Sequence, residues 1–177
     1  MFNSKLLEQS MEKLKQGDVS SFDIIYKETH RLVFYVIYQI LQNKTLCEDI
    51  MQDVYIKVYQ KISTYQNQNS PKAWICMIAR NLALNELKRR ERVQILDQDK
   101  INEIQAKYEE TPLIDLASKI LPEDEYLILM MCVVEGYRRR EVAKIFNLST
   151  SGVTWKLNQA LTKLKKEVEV QNENQSH

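Results

Sequence analysis

The chain has 177 residues, 44% of them hydrophobic and 28% charged, which is a globular composition sized for one domain or two small ones. Three Gly and three Pro leave little room for the tight turns of a β-rich fold, so an all-α protein is expected. The formal net charge of +1 shows no overall bias toward nucleic acid, although that average conceals strong local differences.

Charges every few positions break any signal-peptide core at the N-terminus. No apolar run approaches membrane-span length, so a cytoplasmic protein with no membrane insertion is expected. Leu6, Leu7, Met11 and Leu14 mark a short amphipathic helix ending near Gly17, with Asp18 or Ser20 placed to cap the next. From Phe22 to Leu41 apolar and aromatic residues are dense enough for a helix buried over much of its surface, the expected centre of a core. Thr45 followed by Glu48 has the pattern of a capping box. The helix it opens carries Leu46, Ile50, Val54, Val58 and Ile62 on one face and Glu48, Asp49, Gln52, Asp53 and Lys57 on the other.

Residues 65–70, YQNQNS, read as a polar loop. Ser70 is then a good N-cap and Pro71 suits the first helical position, where a missing N–H costs nothing. Trp74, Ile75, Ile78 and Leu82 recur at helical spacing, which predicts a face for packing, with Arg80 roughly opposite Ile78. Lys88, Arg89, Arg90 and Arg92 make a basic helix end.

Periodicity fades after Arg92 into an acidic connector, with a short helix expected in 98–108. Pro122 and three acidic residues after it open a helix running through Tyr126, Leu129, Met130 and Val133 to Gly136. Arg139 to Phe146, a turn at Asn147 to Ser149, and Thr150 onward read as helix, turn and helix. Ala143 is small where the helices cross, Asn147 tolerates the left-handed conformation, and Ser149 can cap the second helix. Val153, Leu157, Ala160, Leu161, Leu164 and Val168 form its apolar stripe. Trp155 lies almost opposite Leu157, outside the core, free to meet DNA or another protein.

Charge follows these boundaries. Residues 1–94 hold 14 Lys/Arg against 10 Asp/Glu, residues 95–126 hold 3 against 9, and residues 127–170 hold 8 against 4. Two basic modules therefore flank an acidic connector. Three widely spaced cysteines in apolar surroundings imply no disulfide framework, and His30 and His177 stand in no metal-ligand spacing, so neither metal nor cofactor is expected.

In its order of parts the chain resembles an extracytoplasmic-function (ECF) sigma factor of the sigma-70 family, the dissociable initiation subunit of bacterial RNA polymerase. The likeness covers roughly residues 10–92 and 118–167. It is carried by GDVSSFDIIYKETHRLVFYVIYQIL, CEDIMQDVYIKVYQKI and PKAWICMIARNLALNELKRR, then by LPEDEYLILMMCVVEGYRRREVAKIFNLSTSGVTWKLNQALTKLKK. The resemblance implies a region 2-like domain over 1–94, an acidic linker over 95–117, a region 4-like helix-turn-helix domain over 118–170, and a disordered tail over 171–177. It implies no enzymatic activity.

By resemblance, Asp49, Gln52, Asp53 and Tyr55 bind the clamp helices of the polymerase largest subunit, and the polymerase flap is a further contact. An acidic, amide-rich face independently suits a protein better than DNA. The family traps the unpaired non-template strand of the minus-ten element with the loop and the helix after it. By position, Tyr65, Asn67 and Asn69 line a base pocket, while Lys72, Trp74, Arg80, Asn81, Asn85 and Lys88 hold the strand, with Trp74 expected also to anchor the helix. Amides, aromatic surface and cations suit extruded bases and phosphates.

The helix pair would read the minus-thirty-five element through Ser149, Thr150, Thr154, Trp155, Lys156, Asn158 and Gln159, with Arg138, Arg139, Arg140 and Lys144 on flanking phosphates. An anti-sigma factor is a further partner implied by the family. Two departures stand out: Asn85 occupies a position that is usually Asp, and the recognition helix carries fewer Arg and Lys than is usual. The rival readings are a helix-turn-helix regulator acting without core polymerase and a helical adaptor that has lost DNA binding.

Overall fold

The computed structural model describes residues 4–66, 70–96 and 112–175. Every regular element among them is helical, in keeping with an all-α fold. The chain divides into two compact units, Met1–Glu110 and Thr111–His177.

In the first unit, α1 (Ser4–Lys15) turns Leu7, Met11 and Leu14 inward. It ends in a left-handed Gly17 at φ +96°, where the Asp18 N–H bonds back to the Lys13 carbonyl and the Gly17 N–H to that of Leu14. This is the double closure that glycine permits without a Cβ clash. Asp18 caps the short 3-10 turn that follows, accepting from the Ser20 N–H at 3.1 Å. The second helix, α2 (Phe22–Leu41), matches the expected bounds, with Ile25, Val33, Val36 and Ile37 fully buried.

The third helix, α3 (Lys44–Lys61), is capped by Asn43, which accepts from the Leu46 N–H at 3.1 Å. The expected Thr45 cap is thereby corrected: Asn43 is extended, as an N-cap residue must be, while Thr45 already lies inside the helix. The fourth, α4 (Pro71–Leu96), starts at the proline as expected and packs mainly on α2, with further contacts to α3. Its most buried line is Ile75, Ala79 and Ala83, whereas Ile78 and Leu82 are half-buried. Two alanines let the α4 backbone approach α2 closely, an effect that apolar spacing alone does not reveal.

In the second unit, α5 (Pro112–Ile120) is an ordered amphipathic helix with Ala117 buried. The unit's structure therefore begins before position 118, within what the sequence assigned to the linker. The expected helix in 98–108 lies outside the described residues. Next, α6 (Glu123–Leu129) runs into a π-helical turn, Met130–Val134, where the Glu135 N–H bonds to the Met130 carbonyl. Then α7 (Arg139–Phe146) ends in Asn147, left-handed at φ 53°. Finally, α8 (Thr150–Gln175) begins as foreseen, with the Gly152 N–H donating to Ser149 Oγ at 3.0 Å. It runs past residue 170, so most of the expected tail is helical.

Candidate functional site

The outer face of α3 carries Asp49, Gln52 and Asp53, all exposed. Tyr55 is not with them. It is 5% exposed, its hydroxyl 2.8 Å from Thr29 Oγ1, its ring edge-on to Phe22 and tilted against Tyr26. Burial drives its phenol well above the ordinary value. Tyr55 is therefore a core residue joining α3 to α2, which corrects its placement on the partner-facing side. Ile56 and Tyr59 are exposed in its stead and, with Val19 and Gln52, border a shallow groove. Ile56 is absent from the contact residues expected from sequence, yet a residue two positions beyond the buried Val54 must point nearly the opposite way.

The start of the polar loop is anchored inward. Tyr65 is 1% exposed, its ring edge-on to Trp74 with centroids 5.5 Å apart, and its main-chain carbonyl accepts from Lys15 Nζ at 3.1 Å. Burial raises its phenol to about 12. Lys72, at 6% exposure, is likewise buried. These positions correct the expectation that Tyr65 lines a base pocket and that Lys72 grips a strand: both side chains serve the interior of the unit. Asn67 and Asn69 lie outside the described residues. Trp74 is half-buried beside Tyr65, consistent with anchoring.

Arg80, Asn81, Asn85 and Lys88 are exposed along α4, joined by Met77, which the sequence reading did not single out. The basic end is less free than its composition suggests. Arg89 makes a two-pronged pair with Glu86 at 2.7 and 2.8 Å, and Arg90 adds a third bond at 3.3 Å. The hydrogen bond from Arg89 leads in holding the Glu86 carboxyl below its usual range.

In the second unit, Arg138, Arg139, Arg140 and Lys144 are exposed on and just before α7. Glu141 accepts from the Arg138 N–H at 2.8 Å, closing the start of α7. On α8, Ser149 is spent on capping, Thr150 is exposed, and Thr154 donates to the Thr150 carbonyl at 2.9 Å while accepting from Arg139 Nη1 at 3.4 Å. Trp155, Asn158 and Gln159 are exposed. Lys156 is half-buried and ion-paired with Asp124 of α6. The expectation of a DNA-facing Lys156 is corrected accordingly, since its ammonium is already engaged with α6.

Among the described residues no cluster of His, Cys, Asp and Glu could hold a metal ion, and no helix is long and apolar enough to cross a membrane. Cys47, Cys76 and Cys132 are unbridged, and burial pushes the Cys47 thiol up to about 12.

The second unit thus carries a helix-turn-helix, and the first is a helical bundle with an acidic face on α3 and a basic one on α4. Residues 25–93 match the family model described as Sigma-70 region 2. The ECF RNA polymerase sigma factor SigX of Bacillus subtilis (strain 168) is 23% identical over 164 residues, spanning 85% of this chain and 84% of that protein. Two solved structures share the fold. One is CnrH in complex with the cytosolic domain of CnrY, at TM-score 0.63 and 13% identity over 93% of this chain and 98% of that one. The other is the sigma factor RpoE in complex with the anti-sigma factor NepR from Bartonella quintana, at TM-score 0.58 and 19% identity over 86% and 99%. The chain belongs to the sigma-70 family, as an ECF RNA polymerase sigma factor.

Proposed function

We propose that the first unit binds core polymerase through α3 and captures the unpaired non-template strand of the minus-ten element along α4, while the second unit reads the minus-thirty-five element as duplex DNA. The observation that carries this reading is the contrast between neighbouring helices. On α3, Asp49, Gln52 and Asp53 adjoin the exposed Ile56 and Tyr59. Carboxylates beside apolar surface repel DNA and suit a basic, partly apolar protein face. On α4, Met77, Arg80, Asn81, Asn85 and Lys88 combine apolar surface, amides and cations. That mixture suits stacked bases and phosphates.

Strand opening would draw on binding alone. Each captured base returns roughly 1–3 kcal/mol of stacking against an unstacking cost of a few kcal/mol. An anti-sigma protein that covers these surfaces would silence the factor, a partner of the kind with which RpoE was solved. Purified protein added to core polymerase with a promoter library should give new start sites. Asp49→Lys with Asp53→Lys should abolish them by weakening core affinity. Unchanged core affinity in that variant would remove α3 as the interface. Tight duplex binding with no initiation would favour a regulator that works without core.

A further inference from the structure

The first turns of α8 present one continuous outward face. Ser151, Trp155, Asn158 and Thr162 recur at steps of four, three and four, with Gln159 beside them, and all are exposed. Val153, Leu157 and Ala160 on the opposite side are buried. Trp155 stands amid the outer face at 59% exposure, in the N-terminal part of the helix, which is the part a helix-turn-helix inserts into the major groove. An indole in that position contributes little to its own unit's core, so its apolar surface is available to a ligand.

Within the stretch from Thr150 to Lys163 the cations point elsewhere, Lys165 and Lys166 lying further along the helix. Lys156 is paired with Asp124, and Lys163 bonds both carboxylate oxygens of Glu125 at 2.9 and 2.8 Å, tying α8 to α6. A guanine edge is most often read by Arg or Lys at O6 and N7, and between Ser151 and Thr162 the outward face of α8 carries neither, the nearest guanidinium being that of Arg139 of α7, bonded to Thr154. It offers the amides of Asn158 and Gln159, which match adenine N6 and N7, and an indole, whose apolar counterpart in the groove is the thymine 5-methyl group. Lys156 Nζ lies 5.8 Å from the Trp155 ring centroid, so the ion pair also supplies a cation beside the indole and helps preorganise it.

We propose that Trp155 is a specificity-determining residue that packs on a thymine 5-methyl group, so that the upstream element is read at A·T pairs through methyl and amide contacts. The inference rests on the reading of the second unit as a duplex reader. To test it, the full-length protein with core polymerase selects from a promoter library with a randomised upstream block. The winning duplex is then rebuilt with deoxyuridine replacing each thymine in turn, which removes the methyl group and leaves base pairing intact.

One replacement should lower promoter occupancy about fourfold, the effect of exposing one buried methyl-sized group. Trp155→Ala should erase the difference between thymine and uracil at that position. A preferred upstream sequence that tolerates every such exchange would overturn the inference and leave duplex reading intact. Absence of any upstream preference would instead remove duplex reading itself. If Trp155→Ala weakens core binding without DNA and leaves the thymine effect unchanged, the residue docks protein and the inference falls.

Discussion

Lys15 reaches from the end of α1 to the main-chain carbonyl of Tyr65, with Nζ 3.1 Å from the oxygen, across a separation of 50 positions. Tyr65 in turn packs edge-on against Trp74 near the start of α4. The first helix, which carries none of the expected contact residues, thus fixes where the chain enters the 66–70 segment. Lys15→Met should cost about 1–2 kcal/mol through loss of a charged hydrogen bond. Tyr65→Ala should cost about 3 kcal/mol or more through the cavity it leaves. Urea unfolding of both variants checks the order, and equal losses would mean that the Tyr65 ring is not an anchor.

Tyr55 and Ile56 are adjacent in sequence and opposite in role. Thr29 donates to the Ile25 carbonyl at 2.6 Å and lies 2.8 Å from the Tyr55 hydroxyl. Tyr55→Phe keeps the Thr29 to Ile25 bond, so it should cost only about 1 kcal/mol and leave core-polymerase affinity unchanged. Ile56, 54% exposed, should accept Glu within about 0.5 kcal/mol of wild-type stability. The same change should weaken core affinity about tenfold, or 1.4 kcal/mol. Fluorescence anisotropy with labelled protein separates the two effects.

Asp124 makes the second unit sensitive to acid. Burial alone would raise its carboxyl, but the hydrogen bond from Lys156, aided by the Glu125 N–H, outweighs burial and holds it below the ordinary 3.8. A carboxylate depressed by folding stabilises at pH above its unfolded value and loses that contribution as pH falls through the folded one. The loss should therefore appear at and below about pH 4. Asp124→Asn should remove this part of the dependence. Denaturation midpoints followed through that range, with NMR titration of the carboxyl, test the sign. A transition near neutrality would contradict it.

Salt dependence should distinguish the cations of the second unit. Arg140 is exposed on α7, whereas Lys156 is neutralised by Asp124. If Arg140 meets a phosphate, Arg140→Ala should lower the slope of log K against log salt by about 0.9. Lys156→Ala should lower stability and leave the slope unchanged. Binding of the holoenzyme to a fixed promoter across a salt series measures both, and a reduced slope for Lys156→Ala would mean that its ion pair opens on DNA.

The sequence by itself determined most of the helices, α5 excepted, and several of their ends, because periodicity and capping are local. Phe22–Leu41 follows from a dense apolar pattern, Gly17 and Asn147 from the rarity of residues that accept a left-handed backbone, and Ser149 from its side-chain oxygen. The polar surface of α3 and the exposed Trp155 were also legible, since a helical wheel tells which residues stand away from the apolar stripe. Only the tertiary structure decided which polar or amphipathic side chains the neighbouring elements recruit. Tyr55 turns to Thr29 of α2, Tyr65 meets Lys15 and Trp74, Lys72 is buried, and Lys156 pairs with Asp124. Each has an apolar body and a polar tip, so a single helix permits either direction. The partner that arrives from a distant part of the chain decides whether the tip serves the fold or the ligand.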